Sequence, residues 1–327
     1  VIAIFKEKTP ANFLWLLLLS MALHSNLLMQ QPPLKVSEKD GLISLLLLHY
    51  GSLIPGFLML ALYHLILLFQ ALRINQLFND QRMFVKSSFI AAMTYLLVTG
   101  LFKEWGYISP ALLANSLIIW IMAKIIRLYN HPSPKTLLFN VGLITGLSII
   151  LYHPTAVLAL VVLFALLVVR PFRPTEILVL LIGLCTPFYF LMAFLYLFGN
   201  FSQIADFLPE WQINHPFIHT DLAFWSGVSW FVAIVIAGMY FWQMNNGRML
   251  IQVRKNWSVL LVMLVLMLPT AFINKNAGME SLLLLAVPAA AFAANAFIYP
   301  KKTLLPNIFF WLIFFTVLVN NWGFVKN

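Results

Sequence analysis

Residues 155–185 read TAVLALVVLFALLVVRPFRPTEILVLLIGLC. Two apolar runs flank a compact polar link, Arg170-Pro171-Phe172-Arg173-Pro174-Thr175-Glu176. Neither run alternates apolar with polar residues, so neither reads as a barrel strand. In lipid a lone strand leaves its backbone polar groups unsatisfied, whereas a helix closes its own hydrogen bonds. The stretch therefore predicts two helices that enter and leave a bilayer, joined by a short loop stiffened by prolines. Two arginines in such a loop mark the cytoplasmic side.

The same pattern extends outward in both directions. Eleven candidate spans follow, at roughly 12–29, 53–72, 88–102, 110–126, 137–152, 155–169, 177–198, 222–242, 258–273, 281–299 and 307–322. The loops between them alternate in charge. One set holds Lys6, Lys8, Arg73, Arg82, Lys86, Lys124, Arg127, Lys135, Arg170, Arg173, Arg248, Arg254, Lys255, Lys301 and Lys302. The other holds only Lys35, Lys39, Lys103, Lys275 and Lys326. Acids run the opposite way: Glu38, Asp40, Glu104, Asp206, Glu210, Asp221 and Glu280 against Glu7, Asp80 and Glu176. With the amino terminus in the cytoplasm every basic-rich loop falls on that side. An odd number of spans then puts Lys326 and Asn327 in the periplasm. The expected fold is all-α: a polytopic bundle of about eleven spans, one integral membrane domain over residues 1–327, in a bacterial inner membrane.

Composition agrees. Hydrophobic residues make up 62% of the chain and charged residues 9%, against about a quarter charged in a soluble domain. The net charge of +10 is spread over short loops beside apolar runs. That suits membrane lipids with anionic headgroups and argues against a nucleic-acid partner. The single cysteine, Cys185, allows no intrachain disulfide and no thiolate metal cluster. It is expected to be a small buried packing residue. Tryptophans near the span ends read as an aromatic belt.

Three segments depart from simple spans. Residues 41–51 are apolar, precede the second span and end at Gly51, which predicts a short helix lying in the outer interface. Spans 137–152 and 155–169 are joined only by His153-Pro154, as a tight hairpin that is either full or partly re-entrant. Residues 199–221 form the largest outer loop.

Glu38-Lys39-Asp40 is the main candidate for chemistry. Two carboxylates one residue apart, just before an interfacial helix, suit a divalent cation or a general base acting on a lipid-linked substrate. Glu104 is a candidate second acid. Glu280 opens a span, where the helix dipole alone accounts for an acid. His215 and His219 are four apart, but Pro216 intervenes in what would have to be a helical zinc site. His64 lies mid-span, where an ionisable group is either functional or hydrogen-bonded to a neighbouring helix. No Asp or Glu lies mid-membrane, which disfavours ion-coupled transport. Ala286, Ala289, Ala290, Ala291, Ala293 and Ala294 allow close helix approach, within the bundle or to a partner.

The Glu-x-Asp of the first outer loop resembles that of GT-C type, polyprenyl-dependent glycosyltransferases, which also have a cytoplasmic amino terminus, about a dozen spans and interfacial helices. That resemblance implies Glu38 and Asp40 as catalytic acids and a polyprenyl-linked lipid as partner. The chain as a whole resembles an uncharacterised family of multi-pass inner-membrane proteins of one Gram-negative phylum, a domain of unknown function of about three hundred residues. The likeness is carried by Phe5-Lys6-Glu7-Lys8-Thr9-Pro10-Ala11-Asn12, by His153-Pro154, and by Arg170 to Glu176 leading into Gly183-Leu184-Cys185-Thr186-Pro187. It implies a location and no reaction. The sparse polar inventory favours a non-catalytic subunit of an envelope or secretion complex with a membrane-protein partner. The alternatives are the GT-C-like enzyme acting at the outer leaflet and a small-molecule or lipid transporter. No cofactor is specified by the residues.

Overall fold

The computed structural model describes residues 1–29, 32, 34, 36, 40–213, 221–273, 278–302 and 304–323. In chain order its helices are α1 (Ile2–Lys6), α2 (Asn12–Leu23), α3 (Leu42–Tyr50), α4 (Gly56–Asp80), α5 (Ile90–Gly100), α6 (Pro110–Ile125) and α7 (Pro134–Leu151). They continue with α8 (Val157–Val169), α9 (Pro174–Leu197), α10 (Leu222–Asn246), α11 (Ile251–Met267), α12 (Thr270–Ile273), α13 (Ala286–Ile298) and α14 (Leu304–Trp322). An isolated parallel bridge joins Leu34 to Ile108. Proline at the first turn starts α6, α7 and α9, where its missing N–H costs nothing. The Ser109 hydroxyl caps α6 by accepting from Leu112 N at 3.3 Å.

Eight helical segments are long and apolar enough to cross a membrane: Gly56–Asp80, Pro110–Leu128, Pro134–Leu151, Pro174–Leu197, Leu222–Asn246, Ile251–Ile273, Met279–Ile298 and Leu304–Trp322. The chain is a multi-pass membrane protein. The other three expected spans are helical but shorter: α2 has 12 residues, α5 has 11, and the apolar segment containing α8 runs His153–Val169. At 1.5 Å per residue α5 reaches only about 17 Å. It compensates by being enclosed, since every one of its residues is buried. A buried helix need not match the lipid thickness, because protein rather than hydrocarbon surrounds its ends.

The core is built around α5 and α13. All six alanines of the 286–294 stretch are buried, so that stripe serves this bundle's own packing. A Cβ on Gly238 of α10 would strike the backbone of Phe292, so the glycine sets how closely α10 lies on α13. α7 and α9 also pack closely through glycines. Gly142 and Gly146 on α7 face Leu180 and Leu184, while Gly183 on α9 faces the backbone of Phe139.

Two expectations are corrected. Cys185 is exposed, because α9 is a peripheral helix with only 11% of its apolar window buried. Its apolar sequence serves the lipid rather than a core. Trp105 and Trp257 are buried, at 2% and 0% exposure, and do not join a belt. Trp257 packs among Phe84, Trp242 and Phe292, whereas Trp15, Trp120 and Trp225 are exposed.

The loops sort onto two ends, as hydrogen bonds between distant segments show. At the basic end Phe89 N donates to Phe5 O at 2.8 Å, and Ile2 N to Asn307 Oδ1 at 3.4 Å. There Gln252 Nε2 reaches Gln81 Oε1 at 3.4 Å, and Lys255 Nζ reaches Val169 O at 2.9 Å. Arg170 closes this end. It donates to Glu176 at 3.0 and 3.2 Å and to the carbonyls of Leu128 and His131 at 3.0 and 3.3 Å. At the acidic end Gln212 N donates to Ile273 O at 2.8 Å, Asn320 Nδ2 to Ala223 O at 3.0 Å, and Asn321 Nδ2 to Leu23 O at 3.1 Å. These bonds join the basic segments to one another and the acidic-end segments to one another.

Candidate functional site

The acidic end gathers residues from four separate loops. Asp40 ends the first of them and is 5% exposed. Its carbonyl accepts from His153 N at 2.9 Å. The next residue, Gly41, has φ +115° and sits so close to the end of α7 that a Cβ would come within 2.7 Å of Leu151 O. Only glycine fits that close approach and that left-handed backbone, so Gly41 locks Asp40 over the α7 terminus.

Glu280 comes from the 3-10 turn Met279–Leu285 and is 6% exposed. The turn is held from two sides. Trp105 Nε1 donates to Met279 O at 3.1 Å, and Asn115 Nδ2 donates to Leu283 O at 2.9 Å. Trp105 is itself fixed by the Tyr63 hydroxyl, which donates to its carbonyl at 3.3 Å. Burial, and then the charge of Glu280, push the Asp40 carboxyl from 3.8 up to about 7. Tyr152 is buried beside the pair, and its phenol is pushed well above 10 by burial, then by Asp40, then by Glu280. Its hydroxyl makes no hydrogen bond among the described residues. His153, 5% exposed, completes the group.

Burial first, and the charge of Glu280 second, favour the protonated form of Asp40. The arrangement can therefore accept or release a proton at the mouth of the bundle.

Of the residues singled out from sequence, Asp40 lies in this group. Glu104 is half-exposed on the turn Lys103–Gly106, whose Trp105 holds Met279. Glu38, His215 and His219 lie outside the described residues. Glu280 lies in the first turn of the segment Met279–Ile298, as expected of an acid that opens a span, and it is in addition buried within electrostatic reach of Asp40. Tyr152 gave no sequence signal. His153-Pro154 gave one only as a motif at a hairpin tip. His64 takes the structural role, its Nδ1 paired with Ser20 Oγ of α2 at 2.9 Å.

A family model described as a family of unknown function, DUF6427, matches residues 45–325. The chain belongs to that family. Tyr152, His153 and Glu280 fall inside the matched region, as do the Arg170 clamp and the glycines of α7 and α9, and Asp40 lies just before it. No curated protein and no solved structure matches this DUF6427 chain.

Proposed function

We propose that this DUF6427 protein is an inner-membrane enzyme with eleven crossings and a cytoplasmic amino terminus, doing acid–base chemistry on a lipid-linked substrate at the outer leaflet. The alternation of the chain between a basic and an acidic end supports the orientation. The single observation that carries the chemical reading is that Asp40 and Glu280, far apart in sequence, are both buried at the acidic end and within electrostatic reach of each other and of Tyr152. A carboxyl poised near neutral pH is what general acid–base catalysis uses. Asp40 is the proton-transferring group, Glu280 holds its proton affinity high, and Glu104 stands at the rim. In a transfer from a polyprenyl-linked donor, Asp40 takes the proton of the acceptor hydroxyl. The acceptor oxygen bonds to the transferred group as the bond to the lipid phosphate breaks, and the electron pair leaves with that phosphate.

The test is to replace Asp40 with Asn and Glu280 with Gln while checking membrane insertion and thermal stability. The enzyme reading expects lipid-linked intermediates to accumulate in the Asp40→Asn strain with the protein folded and inserted. Unchanged lipid and envelope profiles in both variants would sink it.

One observation favours a second reading, a non-catalytic subunit of an envelope complex. The α9 flank is almost bare, with Tyr189, Phe190, Phe194 and Leu197 exposed. Gentle-detergent purification separates the two: a stoichiometric protein bound through α9, with Asp40→Asn silent, supports the subunit.

A further inference from the structure

At the basic end, away from the acid pair, a cavity of about 300 Å³ opens between α4 and α6. Its polar lining includes Arg73, Arg127 and Asp80, and its apolar lining includes Phe69, Leu117 and Trp120. Arg73 directly follows the apolar run of α4, and Arg127 lies in the turn that ends α6. Both guanidiniums therefore sit where an apolar helix gives way to a charged end, the kind of position at which basic side chains meet lipid phosphates. Phe69 and Trp120 are 55% and 50% exposed, so the apolar half of the cavity faces the bilayer.

The wall between the helices is rigid. Gln70 Nε2 donates to Leu112 O at 2.7 Å and to Ser116 Oγ at 2.9 Å, while its carbonyl accepts from the Tyr95 hydroxyl at 2.7 Å. Arg73 is steadied by Gln76 Oε1 at 3.1 Å. Among the described residues Arg170 and Arg173 are paired with Glu176, and neither Arg73 nor Arg127 is in an ion pair. Two guanidiniums free of carboxylates, one acid and an aromatic floor match one ligand chemistry. Guanidinium binds phosphate oxygens in a fork, a carboxylate takes an ammonium, and an aromatic slot takes an acyl chain.

We propose that this groove binds one phospholipid with an ethanolamine headgroup, its phosphate between Arg73 and Arg127, its ammonium at Asp80 and an acyl chain along Phe69 and Trp120. The site is independent of the acid pair and of any reaction there.

The test uses the full-length protein in bilayers containing equal ethanolamine, glycerol and choline phospholipids, followed by native mass spectrometry of the released protein. The wild type is expected to retain one phospholipid, with ethanolamine over choline by about tenfold. Arg73→Gln with Arg127→Gln is expected to lower retention by about tenfold or more. Asp80→Asn, at an exposed position, is expected to retain a phospholipid but lose the headgroup preference, which keeps the test valid if the double variant folds poorly. Soluble glycerophosphoethanolamine is expected not to displace the lipid. Displacement by it, which would mark a soluble phosphate-ester site, would overturn the proposal. So would equal retention in the double variant, or ethanolamine preference unaffected by Asp80→Asn.

Discussion

Asp40 holds a proton more tightly than an ordinary carboxyl because burial makes the charged form costly, and the charge of Glu280 adds repulsion. The consequence for pH has a definite sign. Unfolded, the group titrates near 3.8, and folded it titrates near 7, so the folded protein binds the proton more tightly. Its contribution to stability is full below about pH 4 and is lost as pH rises towards 7, by about 1.4 kcal/mol per unit of raised pKa. Thermal unfolding across that window is expected to show the slope in the wild type and not in Asp40→Asn. Glu280→Gln lowers the Asp40 midpoint but leaves it above the ordinary value, since burial is the larger cause. Arg170 and Arg173 offer a contrast at the other end. The Arg170 and Glu176 side chains are 11% and 4% exposed, so Arg170→Ala strands a buried carboxylate and costs about 3–5 kcal/mol. Arg173 is 62% exposed and 3.7 Å from the same acid, so Arg173→Ala changes stability by less than about 1 kcal/mol. Melting curves of the two variants in one detergent decide this. Asp40 was legible in sequence as an acid in an outer loop. Glu280 was not, because nothing local tells which of the acidic-end carboxylates meets a residue in the first loop.

At the scale of elements, apolar length was easy to read and burial was not. α9 and the segment Met279–Ile298 that ends in α13 are both strongly apolar, yet the first is mostly exposed and the second almost wholly buried. In lipid an apolar side chain is at home in either place, so hydropathy cannot separate a peripheral helix from a central one. Small residues carry that information instead. The alanines of α13 and the glycines of α7 and α9 mark the close contacts. Gly142→Leu is expected to force α7 from α9 and lose about 1–3 kcal/mol or the folded state outright. Gly106→Ala, with open space around it, is expected to be silent. The fraction of each variant that elutes as a single peak in gel filtration checks the pair. The shortness of α5 was hidden for the same reason: its ends are capped by protein contacts that no local pattern announces.

At the scale of the molecule, the sorting of charge was legible because each loop is short and lies against one membrane face. Among the described residues, hydrogen bonds join the basic segments at one end and Asp40 and Glu280 lie at the other, and the proposed outer-leaflet chemistry depends on which end is outside. Replacing Cys185 with Ala and introducing single cysteines at exposed positions tests that directly. Lys103 lies at the acidic end, and Arg173 and Lys301 at the basic end. With a membrane-impermeant thiol reagent, Lys103→Cys is expected to label in cells with an intact inner membrane, and Arg173→Cys and Lys301→Cys only after it is opened. Labelling of Arg173→Cys from outside, or protection of Lys103→Cys until the membrane is opened, would contradict the account.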